Sequence, residues 1–235
     1  MNIFLLLFSL FFLDKIFSQS NNVLKEEIHE GFILNNNKLI SDDSKLIKKY
    51  NEIGLLIEEN DERIWPMMQK KAVLKKIFYY DEKKRLQYYT LYNDTSFVLK
   101  LLHFYDSNDV LIEVKEINKL GNDGYHATKY YQNNNCIAES LFRPDGSLYN
   151  VKFFFYDAQN NLIDEYGVEG NQMKYRWKYF YNKKKHLIQR NDLDGSEKLL
   201  RTHQYEFIED KINKETILNS SKQIEKIIIY SYKYW

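Results

Sequence analysis

An aromatic residue followed by Asp, Asn or Gln, with Leu or Ile six positions beyond the aromatic, recurs through most of this chain. It stands at Tyr80-Asp81 (Leu86), Tyr105-Asp106 (Leu111), Tyr131-Gln132 (Ile137), Tyr156-Asp157 (Leu162) and Tyr181-Asn182 (Leu187), at spacings of 25, 26, 25 and 25 residues. Phe207 with Ile212 continues the period in degenerate form, and Tyr232 falls another 25 residues along. Upstream, Tyr50-Asn51 with Leu56 reads as a first copy, set 30 residues from the next by an insertion around Arg63 to Lys71 that contains Trp65-Pro66. A fixed period of this length means one supersecondary unit repeated, here about seven times, and it constrains the fold more than any local propensity does.

The unit's content is two strands and two turns. The residues after each aromatic are turn formers, as in Asp106-Ser-Asn-Asp109, Gln132-Asn-Asn-Asn135 and Asp157-Ala-Gln-Asn-Asn161, whose side chains bond nearby backbone and tolerate left-handed geometry. A second turn follows about 13 residues after the aromatic, at Asp94-Thr95, Asp145-Gly146, Glu169-Gly170, Asp194-Gly195 and Ser220-Ser221, and Asp-Gly between apolar runs is a hairpin signal. Runs such as VKFFFY (151–156) and RWKYFY (176–181) are short, aromatic and closed by turns, so a helix does not fit between them. The 20 Tyr, 15 Phe and 3 Trp against 8 Gly and 2 Pro agree with strands. The expected fold is all-β: an antiparallel meander of tandem β-hairpin repeats forming a curved or twisted extended sheet. Its last strand, Tyr230 to Trp235, must be covered by a neighbour or a partner.

The N-terminus differs in kind. Ile3 to Leu13 (IFLLLFSLFFL) carries no charge, is too short to span a bilayer as a helix, and has the length of a signal-peptide h-region. The sequence therefore divides into a signal peptide (1–19), a loosely ordered lead-in (20–49) and a β-hairpin repeat domain (50–235), exported to the periplasm, the cell surface or the medium. No later run reaches spanning length, so no membrane span is expected in the mature chain. Near-equal acids and bases, 33 against 34, lack the basic footprint of a nucleic-acid binder.

The Tyr-Asp pairs at Tyr105-Asp106 and Tyr156-Asp157, with Tyr80-Asp81 and Tyr181-Asn182 as near matches, each followed by Leu, resemble the bacterial YD or RHS-type repeats of exported proteins. The resemblance covers roughly residues 50–235 and implies a small secreted member built of β-hairpins. The family's Gly-Arg before the Leu is replaced by Asn160-Asn161, Lys184-Lys185-His186 or Lys84-Arg85. The copies are too few for the shell that large RHS proteins build, and the family's cage role does not transfer.

Chemistry is sparse. A single Cys136 excludes an internal disulfide and any multi-thiolate site, and reads as a small buried hydrophobe. His29, His103, His126, His186 and His203 show no metal-ligand spacing. No phosphate loop or nucleophile elbow occurs, so no catalytic, cofactor or metal residues are assigned and no cofactor is expected. Alternation places Trp177, Tyr179 and Tyr181 on one strand face with Phe154 and Tyr156, a candidate binding face suited to sugar rings or a protein partner. The function expected is a non-enzymatic exported β-repeat scaffold or binding protein engaging an envelope protein or glycan. Alternatives are an immunity or toxin-neutralising partner, and an enzyme with its site in insertions near Trp65 or Asn118 to His126.

Overall fold

The structure is a computed structural model that describes residues 23–35, 38–65 and 70–235. The proposed signal peptide and the Trp65 side chain lie outside the described residues. The strands are β1 (Leu24–Asn35), β2 (Lys38–Tyr50), β3 (Leu56–Trp65), β4 (Lys70–Tyr80), β5 (Leu86–Asn93), β6 (Ser96–Tyr105), β7 (Leu111–Asn118) and β8 (Asp123–Gln132). They continue as β9 (Asn135–Phe142), β10 (Leu148–Tyr156), β11 (Leu162–Glu169), β12 (Gln172–Tyr181), β13 (Leu187–Asp194), β14 (Leu199–Ile208), β15 (Lys211–Asn219) and β16 (Ile224–Tyr234).

Each strand pairs antiparallel with its chain neighbour, and β16 then pairs with β1, from Leu24↔Tyr234 to Phe32↔Ile227. The sheet is therefore a closed sixteen-strand barrel rather than an open curved or twisted one. Closure satisfies both edges that an open meander of this length would leave unpaired, and it covers the C-terminal strand. The segment before residue 50 is not a loose lead-in: it folds as β1 and β2, whose pairing makes an eighth hairpin unit where the repeat suggested about seven.

The turns are more uniform than the sequence suggested. Nine loops among the described residues share one five-residue form, in which the first residue's amide donates to the fifth's carbonyl and the fourth's amide donates to the first's carbonyl. In several, an Asp or Asn opens the loop and its Oδ1 accepts the third and fifth amides, as Asp106 does from Asn108 and Val110, both at 2.9 Å. The fourth residue takes positive φ: Gly54, Gly121 and Gly146 in three loops, but Lys84, Asp109, Asn160 and Lys185 in others. The repeat family's missing glycine is thus a position that here holds ordinary side chains in left-handed geometry. Asp194-Gly195 is no two-residue turn, because the positive φ falls on Glu197.

After each of these aromatic-end turns one extra residue interrupts the ladder. Tyr105 pairs with Leu111 but Phe104 with Glu113, leaving Ile112 as a bulge; Tyr156↔Leu162 and Phe155↔Asp164 leave Ile163 likewise. The five-residue loop sets the interval of six between the aromatic and the Leu it pairs with, and as direct partners Tyr156 and Leu162 face inward together. The aromatic columns then separate cleanly. Phe78, Phe154 and Tyr205 point inward and are buried, while Tyr79, Phe104, Tyr130, Phe155 and Phe180 point outward and are each at least 38% exposed.

Candidate functional site

The inner wall is the one surface on which the repeat concentrates chemistry. At one rim, each even-numbered strand carries the repeat's aromatic at or within two residues of its end. The hydroxyls of Tyr80, Tyr105, Tyr131, Tyr156, Tyr181 and Tyr232 donate to the carbonyls of Leu56, Leu86, Leu111, Cys136, Leu162 and Ile212 at 2.7–3.0 Å. Each bond latches the open end of its own hairpin to the first or second residue of the preceding strand. Tyr50 instead donates to Glu27 Oε2 at 3.0 Å. Phe207 has no hydroxyl and stacks on His186 at 4.5 Å.

Below the rim the inner wall carries cross-strand charges. Glu27, Lys48, Glu59 and Lys76 are consecutive partners across β1 to β4, with Lys76 Nζ 2.6 Å from Glu59 Oε1. Burial pushes the Glu27 carboxyl up, but His29, Lys48 and Tyr50 outweigh it and hold it at about 2. Across β8 to β10, Glu139 lies between Lys129 and Lys152, and these cations keep it ionised below its ordinary value despite burial. Glu165 accepts from the hydroxyls of Tyr175 and Tyr179, each at 3.1 Å; burial holds this carboxyl above its ordinary value, against the pull of Lys152. The sector from β4 to β7 is instead apolar: Phe78, Tyr89, Leu91, Leu99, Leu101 and Val114 pack together.

Of the residues that the sequence placed on one face, all five lie on this inner wall. Phe154 is buried and packs with Tyr156 and Tyr179, and Tyr156 and Tyr181 belong to the rim latches. Trp177 is half-buried, with the Tyr175 ring 5.0 Å away and the Arg190 guanidinium 4.9 Å over its ring. The face is therefore shared, as alternation required, but it faces the lumen rather than the outside. Sixteen strands enclose more space than one layer of side chains fills, and Tyr175, Trp177, Tyr179 and Arg190 keep partial exposure.

Sequence reading missed a cluster around His203. Its Nδ1 lies 2.6 Å from Glu215 Oε1, and its Nε2 lies 3.0 Å from both Asp192 Oδ2 and Arg190 Nη2. These partners sit 11 to 13 positions away on the two adjacent strands, which is the half-period of the repeat; spacing at that interval was the available signal. Elsewhere, His29 meets Glu27, His126 stacks on Phe142, and Cys136 is buried with Sγ 3.3 Å from the Ala138 carbonyl. Asn118 to His126 holds no insertion: it is a regular five-residue loop entering β8. No group of three or more His, Cys, Asp or Glu among the described residues is arranged to hold a metal ion.

The outer wall is charged through its middle. Glu58 pairs with Lys49 and Lys75, both at 2.7 Å, and Arg176 pairs with Asp164 at 2.5 Å; Lys100, Glu113, Lys115 and Lys178 share this face. A charge on the lipid face of a spanning barrel costs about 2–4 kcal/mol for Lys or Arg at the midplane, and these charges share the outer wall with the exposed rings of Tyr79, Phe104, Tyr130, Phe155 and Phe180. No helix of the described residues is long and apolar enough to cross a membrane.

No protein-family model matches the chain, and no curated protein does. Among solved structures, a porin-like protein from Bacteroides uniformis superposes with a TM-score of 0.63 at 9% identity, over 89% of this chain and 98% of that one. A porin-like protein from Bacteroides vulgatus reaches 0.38 at 9% identity over 91% and 99% of the two chains. A TcdB2–TccC3 structure without its hypervariable C-terminal region reaches 0.37 at 10% identity, over 78% of this chain and 12% of that one. The last two scores carry no argument; the first shows the fold, a porin-like barrel. The likeness to YD or RHS-type repeats is overturned by these findings, since the hairpins close on themselves and no repeat-family model matches.

Proposed function

We propose that the protein is a non-enzymatic binding protein of the cell envelope that holds its ligand against the inner wall, and that the ligand is a glycan. The observation that carries this reading is the half-buried Trp177, flanked by Tyr175 and Tyr179 and edged by Glu165, Arg190 and Asp192. An apolar ring face beside hydrogen-bonding groups of both signs matches a sugar, which has an apolar face and a rim of hydroxyls. The apolar N-terminal run and the porin-like fold support an envelope setting, and the charged outer wall supports a barrel that works in water there rather than a lipid-facing pore.

The test is calorimetric titration of the protein with a panel of neutral and acidic oligosaccharides, repeated with Trp177→Ala. Binding tighter than ~1 mM, about −4 kcal/mol, should appear for at least one glycan and weaken at least tenfold in the variant. A panel without binding, or a folded variant that binds equally well, would sink the reading.

A further inference from the structure

His203 Nε2 stands 3.0 Å from a carboxylate oxygen, Asp192 Oδ2, and 3.0 Å from a guanidinium nitrogen, Arg190 Nη2. One neighbour can only accept a hydrogen bond and the other can only donate one. The Nε2 protonation state therefore decides which bond forms. Nδ1 is committed in either state, because Glu215 Oε1 at 2.6 Å takes its proton, and Tyr230 donates to the other oxygen of that carboxylate at 2.9 Å. With Nε2 protonated, the ring bridges Asp192 on β13 and Glu215 on β15. With Nε2 bare, its lone pair accepts from Arg190 instead.

Arg190 is the link outward. Its Nε donates to Asp192 Oδ1 at 2.7 Å and its Nη2 to Asp192 Oδ2 at 3.2 Å, and the same guanidinium lies over the Trp177 ring. We propose that His203 is a proton-operated selector that either draws Arg190 Nη2 onto its own ring or leaves it wholly to Asp192, and thereby sets how far the guanidinium covers Trp177. As a statement about ligand binding it rests on the glycan reading of the Trp177 wall; as a statement about Arg190 it does not.

The surroundings favour a selector that works above the ordinary imidazole range. The groups facing His203 are Arg190 and Asp192 on β13, Arg201 and Tyr205 on β14, Glu215 on β15, Glu225 and Tyr230 on β16, and Tyr179 on β12. Burial lowers the His203 pKa, but its hydrogen bonds to the Asp192 and Glu215 carboxylates prevail and raise it above the ordinary 6.5. Asp192 and Glu215 lie below their ordinary values, so both stay ionised while the imidazole titrates. The phenols of Tyr179, Tyr205 and Tyr230 are all raised and stay neutral.

The test starts without ligand. Nuclear magnetic resonance of the ¹⁵N-labelled protein, from pH 5 to pH 9, follows the His203 ring, the Arg190 Nε–H and the Trp177 indole N–H together. The Arg190 and Trp177 signals should shift along the same curve as the His203 ring, and should stay flat in His203→Gln. Arg190 and Trp177 signals that ignore the His203 titration in the unaltered protein overturn the selector, whatever the variant does. The second arm measures oligosaccharide affinity at pH 5.5 and pH 8.5. At least a threefold difference in the unaltered protein, absent from His203→Gln, supports coupling to the ligand, and equal affinities overturn that coupling. No glycan binding at either pH, with the ligand-free titration intact, supports the selector and removes the glycan reading alone.

Discussion

The tyrosine latches make a prediction that the chain tests against itself, because seven rim positions of the eight units carry Tyr and one carries Phe207. Removing one hydroxyl, as in Tyr181→Phe, deletes a 2.9 Å bond to the Leu162 carbonyl and leaves the ring in place. A neutral hydrogen bond of this kind contributes about 1 kcal/mol net. With a urea slope of roughly 2–3 kcal/mol per molar, the unfolding midpoint should fall by about 0.3–0.5 M at unchanged slope. Tyr105 and Tyr181 lie six strands apart, so the double variant should lose the sum, about 2 kcal/mol, within ~0.5 kcal/mol. Phe207→Tyr should move the midpoint the other way by a similar amount, since Phe207↔Ile212 occupies the same register as Tyr181↔Leu187. Equilibrium urea unfolding followed by circular dichroism decides it. Single Tyr→Phe shifts below about 0.1 M, or a destabilising Phe207→Tyr, would refute the claim that the hydroxyls hold the hairpin ends.

Lys185 sits at φ 64 in an exposed loop, so Lys185→Gly should raise stability by about 1 kcal/mol in the same assay. Gly167 faces inward under the Tyr175 ring, and a Cβ there would come within 2.3 Å of Tyr175 Cε1; Gly167→Ala should cost about 1–3 kcal/mol by displacing that ring. Glu139→Gln would leave Lys129 and Lys152 facing each other without their shared carboxylate, a loss of roughly 3–5 kcal/mol, visible as a lower thermal midpoint. Glu27, lowered from 4.5 to about 2, contributes stability that is fully present above pH 4.5 and is lost as pH falls toward 2. The contribution is about 3 kcal/mol, so Glu27→Gln should flatten the acid limb of a stability-versus-pH curve and leave its slope above pH 6 unchanged.

The repeat made the strands and their turns legible, because Asx residues and aromatic runs are local signals. Closure was not legible. It depends on β16 meeting β1, as in Glu27↔Tyr232, across some 200 residues, and no local pattern encodes such a partner. The eighth unit was hidden for a different reason. In β1 and β2 the inward positions include Glu27, His29 and Lys48, which pair with one another or across the wall, so the segment reads as charged and loose until its partners are known. The inner face could not be told from the outer one while both columns were aromatic. The discriminating detail is the bulge at Ile112, Ile163 and their equivalents, which keeps the small aliphatic residue outside and the Leu inside. The His203 cluster needed the register itself, which only pairing supplies.

A closed meander in which every strand pairs with its chain neighbour has no first strand in any geometric sense. Val23 and Trp235 make this concrete, since the Trp235 amide donates to the Val23 carbonyl at 3.2 Å. A chain joined at that point and cut instead within the exposed loop 118–122 would trace the same sixteen strands in the same register, starting at β8. Where the polypeptide begins is then a matter of synthesis and delivery, and the barrel's shape is indifferent to it.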